Sequence, residues 1–280
     1  MSRIAVVTES SAMIPDDLAR KYDIRVIPLY ITWDKERYRD GVDITTDEFY
    51  RRLRKSPTLP TTSGAIQGEF IQLFEELRGK VDGILIIVLS TEFSGAYNSA
   101  MTAKEMVPDI PVEVIDSRLS TTAMGFGVIA AAKAAAAGGN MEQVVKAAWD
   151  VLKKAHIFFS LDTLDYLRRG GRVNFTSAVL ANLLRVKPIL TVKDGKAVPV
   201  DRPRTRRRAI ERLLSLMEEN VTDTPLHVAV MHADAIKDAE YLRDEIGSRF
   251  QCAELLITGF TPVMGTHTGP SLIGLAFYNE

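Results

Sequence analysis

Asp82-Gly83-Ile84-Leu85-Ile86-Ile87-Val88-Leu89 is a continuous apolar run of strand length. A strand that is apolar on both faces cannot lie in a sheet with one side in water; it needs helices above and below. The run therefore points to an α/β fold with a parallel central sheet, and the flanking sequence agrees. Residues 4–8, 25–33 and 112–115 read as further strands. Helices are expected from Pro15, over 64–78, where Ile66, Phe70, Ile71 and Phe74 recur at helical spacing, and over 96–106 and 120–137. Thr45-Thr46-Asp47-Glu48 is a capping-box pattern that opens a helix to about residue 55. Residues 34–41 read as a small polar hairpin, and 56–62 as a loop.

The pattern changes after Gly138-Gly139 and the helix that follows to residue 155. Residues 156–161 form a strand, and 188–192 with 197–200 form a hairpin across Asp194-Gly195. A helix over 205–220, strand 226–232, helix 235–250 and strands 254–258 and 272–278 complete a mixed sheet. The expected architecture is a two-lobed α/β protein with a Rossmann-like parallel-sheet lobe first and a mixed-sheet α/β lobe second. The lobes are expected at 1–161, with a hairpin insertion near 30–43, and 162–280.

Charge and motif content exclude several chemistries. The formal net charge is -1, so the chain as a whole has no electrostatic case for nucleic acid or for more than transient membrane contact. One cysteine, Cys252, rules out an internal disulfide and suits a reducing cytoplasm; no signal-peptide pattern precedes the first strand. No phosphate-binding GxxxxGK[ST] and no nucleophile-elbow GxSxG is present. Gly125-Phe126-Gly127-Val128-Ile129-Ala130 matches a dinucleotide fingerprint but sits inside a helical run, where its glycines serve close packing. His227 and His232 leave opposite faces of one strand, and no Cys-His spacing suggests a metal. No catalytic residue, metal or cofactor is expected.

One constellation remains. Glu9-Ser10-Ser11, Thr61-Thr62-Ser63-Gly64 and Ser90-Thr91-Glu92-Phe93-Ser94-Gly95 each place hydroxyls just before an expected helix. Capping alone explains any one of them. Two of them, around Thr62 and Ser94, can converge at the carboxyl ends of a doubly wound sheet, where helix dipoles, hydroxyls and glycine amides suit a carboxylate or a phosphate.

These segments resemble, in order, those of the DegV family. Thr8-Glu9-Ser10-Ser11 is similar to its T-D-S-S opening, with Glu9 in place of Asp. Val26-Ile27-Pro28-Leu29, Tyr38-Arg39-Asp40-Gly41-Val42-Asp43-Ile44-Thr45, Pro60-Thr61-Thr62-Ser63 and residues 90–100 follow, as do Asp116-Ser117 and Met124-Gly125-Phe126-Gly127. Leu164-Asp165-Tyr166-Leu167-Arg168-Arg169-Gly170-Gly171-Arg172, then Lys187-Pro188-Ile189-Leu190 and His267-Thr268-Gly269-Pro270, complete the set.

The resemblance implies a non-enzymatic protein that buries one long-chain fatty acid in an apolar tunnel. It also implies that the carboxylate is presented to a separate ATP-dependent fatty acid kinase subunit that forms an acyl phosphate. The carboxylate-binding role falls on Thr62 and Ser94, with Ser63 and the Gly95 backbone adjacent and His267 near the head group. Gly64-Ala65-Ile66 departs from the family's Q-P-S. Phe158, Phe159, Phe260, Met264 and Phe277 are candidate tunnel walls or simple core. Arginines in a helix's first turn oppose its dipole, so the run 202–208 invites another use. Arg202 and Arg204, with Arg172, are the candidate kinase-facing residues. The competing function is an acyl- or phosphoryl-ester enzyme using His267 as general acid/base beside Ser94.

Overall fold

A computed structural model describes residues 3–173, 175–176, 186–222 and 225–280. The chain forms two compact units, Met1–Tyr30 with Ser63–Lys154, and Ile31–Thr62 with Ala155–Glu280. In the first unit, strands β1 (Ile4–Glu9), β2 (Arg25–Ile27), β6 (Gly83–Val88) and β7 (Val112–Asp116) make a parallel sheet in the order β2-β1-β6-β7. Every residue of β6 is buried, as the two-sided apolar run requires. Helices α1 (Asp16–Lys21), α3 (Gln67–Leu77), α4 (Ala96–Met106), α5 (Thr121–Ala136) and α6 (Met141–Leu152) belong to the same unit. The glycines of the dinucleotide-like fingerprint are packing positions. A Cβ on Gly125 would lie 2.5 Å from the Ala12 carbonyl oxygen, and one on Gly127 would lie 2.6 Å from the Leu152 side chain. The strand order reverses direction between β1 and β6, which makes their carboxyl ends the switch point where open α/β sheets take ligands.

In the second unit, β8 (His156–Ser160), β9 (Ile189–Lys193), β10 (Lys196–Asp201), β11 (Leu226–His232), β12 (Cys252–Gly259) and β13 (Ile273–Asn279) form a mixed sheet. Its order is β10-β9-β8-β13-β11-β12, antiparallel except for the parallel β11–β12 pair. Val228 and Val230 of β11 and Ile273, Leu275 and Phe277 of β13 alternate onto one face. There they pack with Leu213, Leu214 and Met217 of α8 (Arg206–Glu218) and with Leu242 and Ile246 of α9 (Ile236–Arg249). Phe158 and Phe277 sit in this core, so packing rather than a tunnel wall explains them. Phe159, one residue on, faces the other side of the sheet.

Three features depart from the sequence reading. The strand expected over 25–33 is two strands, β2 and β3 (Tyr30–Trp33), because Pro28 has no N–H to continue a ladder. The hairpin near 30–43 forms as β3 and β4 (Glu36–Arg39). With β5 (Thr61–Ser63) these make a three-stranded sheet, β4-β3-β5. Residues 31–62, which the sequence reading ran into the first lobe, group with the second unit. Long-range bonds explain that grouping. Asp40 accepts the Val263 N–H at 3.0 Å, the Tyr50 hydroxyl donates to the Phe260 carbonyl at 3.2 Å, and Arg54 pairs with Asp234 at 2.7 Å. No helix of the described residues is long and apolar enough to cross a membrane.

Candidate functional site

Thr62 lies on β5 rather than at a helix start, because α3 begins only at Gln67, after residues 64–66, which are neither helix nor strand. Its side chain is fixed instead by a partner 205 positions away: Thr62 Oγ1 and His267 Nε2 are 2.7 Å apart. His267 sits near the end of α10 (Pro262–Thr268), a short helix that opens with Pro262 at its start and that the sequence reading missed. Two glycine motifs shape the pocket around the imidazole. A Cβ on Gly170, at the end of α7 (Asp165–Arg169), would lie 2.4 Å from His267 Nδ1. Gly269, with φ of +72°, lies against the Tyr166 ring, which a Cβ there would meet at 2.3 Å. Only glycine fits either place, and only glycine adopts that φ without strain. The GGR and HTGP motifs are thus two halves of one interlocked cradle.

The electrostatics of the cradle assign the imidazole a role. Burial, helped by the positive charge of Arg172, lowers the His267 pKa to about 4, so the ring is neutral near pH 7. Its Nδ1 is inaccessible to solvent and has no partner. A buried N–H left without an acceptor is costly, so we assign the single proton to Nε2, where it is donated to Thr62 Oγ1. The Thr62 hydroxyl proton is then free to be given to an anionic oxygen. Arg172, one of the expected kinase-facing residues, is half-buried beside this ring and donates to the Gly170 carbonyl at 2.7 Å.

In the first unit, Ser94 closes the loop between β6 and α4. Its Oγ accepts the Ala96 N–H at 3.2 Å, and the Phe93 and Ser94 amides both donate to the Ser90 carbonyl. A Cβ on Gly64 would lie 3.0 Å from Ser94 Oγ, so the Gly64 that departs from the family pattern makes room for this hydroxyl. The structure therefore seats Gly64, next to Ser63, against Ser94 in one unit, and Thr62 against His267 in the other. The chain passes from the second unit to the first between Thr62 and Ser63. Ser63 and Gly95 are exposed, and the Gly95 N–H finds no acceptor among the described residues.

Arg202 and Arg204 are exposed on the segment between β10 and α8. Arg206, in the same run, is structural: it pairs with Asp238 at 2.7 Å and donates to the Ser271 carbonyl, which offsets its place in a first turn. Among the described residues no group of three or more His, Cys, Asp and Glu side chains could hold a metal.

The chain matches the family model described as "Uncharacterised protein, DegV family" over residues 3–280. It is 35% identical to Protein DegV of Bacillus subtilis over 276 residues, 98% of each chain. It is 36% identical to a DegV domain-containing protein of Caldanaerobacter subterraneus over 278 residues, 99% of each. Among solved structures it is similar to DegV of Bacillus subtilis, described as a fatty acid binding protein, with a TM-score of 0.93, 34% identity and complete coverage of both chains. A fatty-acid-binding DegV family protein from Thermus thermophilus gives a TM-score of 0.93 at 29% identity, covering 99% of this chain and all of that one. A stearic-acid-binding protein from Eubacterium ventriosum gives 0.87 at 29% identity, covering 100% and 98%. The parallel and mixed sheets, the interlocked glycine motifs and these full-length matches agree, and the chain belongs to the DegV family.

Proposed function

We propose that this protein binds one long-chain fatty acid, with the acyl chain in a buried apolar tunnel and the carboxylate held by the Thr62 and Ser94 hydroxyls. Ser63, the Gly95 amide and His267 complete the set. The Thr62–His267 bond carries the reading, because a neutral imidazole donating through Nε2 leaves the Thr62 hydroxyl as a donor toward an anion. Full-length similarity to proteins described as fatty acid binding supports the same ligand class. Burying a methylene is worth about 0.8 kcal/mol, so about fourteen of them offer roughly 11 kcal/mol before immobilisation costs. The polar groups then mainly orient the carboxylate and offset its desolvation.

The same geometry disfavours catalysis at this site. A general base needs a pKa near the working pH and, in a triad, a carboxylate on its second nitrogen. His267 titrates at about 4, its Nδ1 has no partner, and its hydroxyl neighbour is Thr62 rather than Ser94. We infer that the bound carboxylate is presented to a separate ATP-dependent kinase that converts it to an acyl phosphate, with exposed Arg202 and Arg204 as docking residues. Titration with oleate tests the reading. Thr62→Val and Ser94→Ala each weaken binding about tenfold on loss of a charge-assisted hydrogen bond. Unchanged affinity in both variants overturns the site.

A further inference from the structure

We propose that Glu9 is a positioning residue, a neutral carboxyl group that clamps the end of β1 to the loop carrying Ser94. The inference rests on Ser94 as a carboxylate ligand and adds a pH dependence to that role. Glu9 ends β1 at the switch point of the parallel sheet and is 0% exposed. Its Oε1 accepts two hydrogen bonds, from the Leu89 N–H at 3.0 Å and from the Ser11 hydroxyl at 3.0 Å. Leu89 is where β6 gives way to the Ser94 loop. The next amide, Ser90, donates to the Leu119 carbonyl at 3.1 Å, and the Ser90 carbonyl gathers the Phe93 and Ser94 amides at 2.9 and 3.1 Å. The loop is therefore pinned from two sides, by Leu119 and by Glu9.

The neutral state follows from burial and from the oxygen that the donors leave unmet. Both donors converge on Oε1, while Oε2 is inaccessible to solvent and has no partner. A carboxylate there would leave half its charge in an apolar interior with nothing to answer it. Protonation at Oε2 removes that charge and leaves a neutral hydroxyl without an acceptor, the smaller of the two costs, with Oε1 as the carbonyl oxygen. Burial raises the pKa to about 7, with the two hydrogen bonds acting in the opposite direction. No charged group takes part. Strand β2 contributes Arg25 and α5 contributes Lys133, both exposed, and the single turn Ser10–Ala12 and β6 have no titratable residue. Asp116 at the end of β7 is taken up by Thr91 and the Arg118 amide. Above neutral pH the acid ionises; the Leu89 and Ser11 donors favour the charge but do not offset its burial, so water drawn to Oε2 loosens the Leu89–Ser94 segment that presents Ser94.

The test is oleate affinity from pH 6 to 9 in the wild-type protein, Glu9→Gln and Glu9→Asp, with amide exchange over residues 89–95 measured at each pH. If only the neutral form is competent, one pH unit above the midpoint leaves about a tenth of the molecules competent, and the apparent Kd rises about tenfold. Glu9→Gln keeps a carbonyl acceptor and cannot ionise, so its affinity is flat relative to wild type. Glu9→Asp, again an acid, restores the pH dependence. Glu9→Ala releases the loop and speeds its exchange at every pH. Identical pH profiles in wild type and Glu9→Gln, or unchanged exchange in Glu9→Ala, overturn the proposal. If wild type binds no oleate at any pH, the fatty-acid reading fails. The clamp is then judged on amide exchange alone, where Glu9→Gln must abolish the rise seen in wild type above pH 7.

Discussion

Two buried groups with opposite titration behaviour give a prediction that stability measurements can read. Glu9 keeps its proton to about pH 7 where an ordinary glutamic acid loses it at 4.5. Below 4.5 both folded and unfolded chains hold that proton. As pH rises to 7 only the unfolded chain releases it, so the folded state loses roughly 3 kcal/mol across that window and stays lower beyond it. His267 runs the other way, with its pKa lowered from 6.5 to about 4. Its contribution is complete above 6.5 and is lost as pH falls to 4, again by roughly 3 kcal/mol. Between about 4.5 and 6.5 the two slopes oppose and largely cancel if the units unfold together. Glu9→Gln removes one slope. The difference in unfolding free energy between Glu9→Gln and wild type, from urea melts, should grow by roughly 3 kcal/mol from pH 4.5 to 7, on top of the rise that His267 and the half-buried His156 and His232 give both proteins. His267→Gln should show the reverse, a fall between 4.5 and 7. Curves for Glu9→Gln and wild type that run parallel from pH 4.5 to 7 would refute the buried-acid argument. If the units unfold separately, each slope appears in its own unit's hydrogen exchange.

Other substitutions test the cradle and the surface. Gly170→Ala forces the His267 ring to move and should weaken oleate binding about tenfold or more while the far-ultraviolet circular dichroism is unchanged. Gly269→Ala combines a left-handed φ with a clash on Tyr166 and should lower stability by about 2–4 kcal/mol in a chemical melt. Asp40→Ala leaves the buried Val263 amide without its acceptor and should cost about 1–3 kcal/mol, seen as faster exchange of residues 262–268. Charge reversal at Arg202 and Arg204 should abolish acyl phosphate formation by an added kinase and leave oleate affinity unchanged; loss of both together counts against docking.

The fold was legible where short-range physics decides it. The two-sided apolar run of β6, the Asp194-Gly195 turn and the Thr45 cap read directly from residue type and spacing. Elements whose reason is tertiary were not. Helix α10 has no apolar periodicity, since Gly265 is chosen for the Tyr50 hydroxyl that a Cβ would meet at 2.4 Å. Strand β5 is three residues long and exists as the third member of its sheet. The allegiance of residues 31–62 depends on bonds spanning about two hundred positions, which no local window contains. For the proposed site, hydroxyl clustering pointed to Thr62 and Ser94, and the family resemblance added His267. Glu9 was passed over as part of an opening motif, although an acidic residue at the end of an apolar strand, followed by two serines, was the signal available.

The most direct test of the account is mass spectrometry of the protein purified without added lipid, under native conditions and after organic extraction. The account predicts one long-chain fatty acid per chain, exchangeable with added oleate and lost from the Thr62→Val, Ser94→Ala double variant. A protein that emerges empty and takes up no oleate, or whose lipid content is indifferent to both hydroxyls, contradicts it.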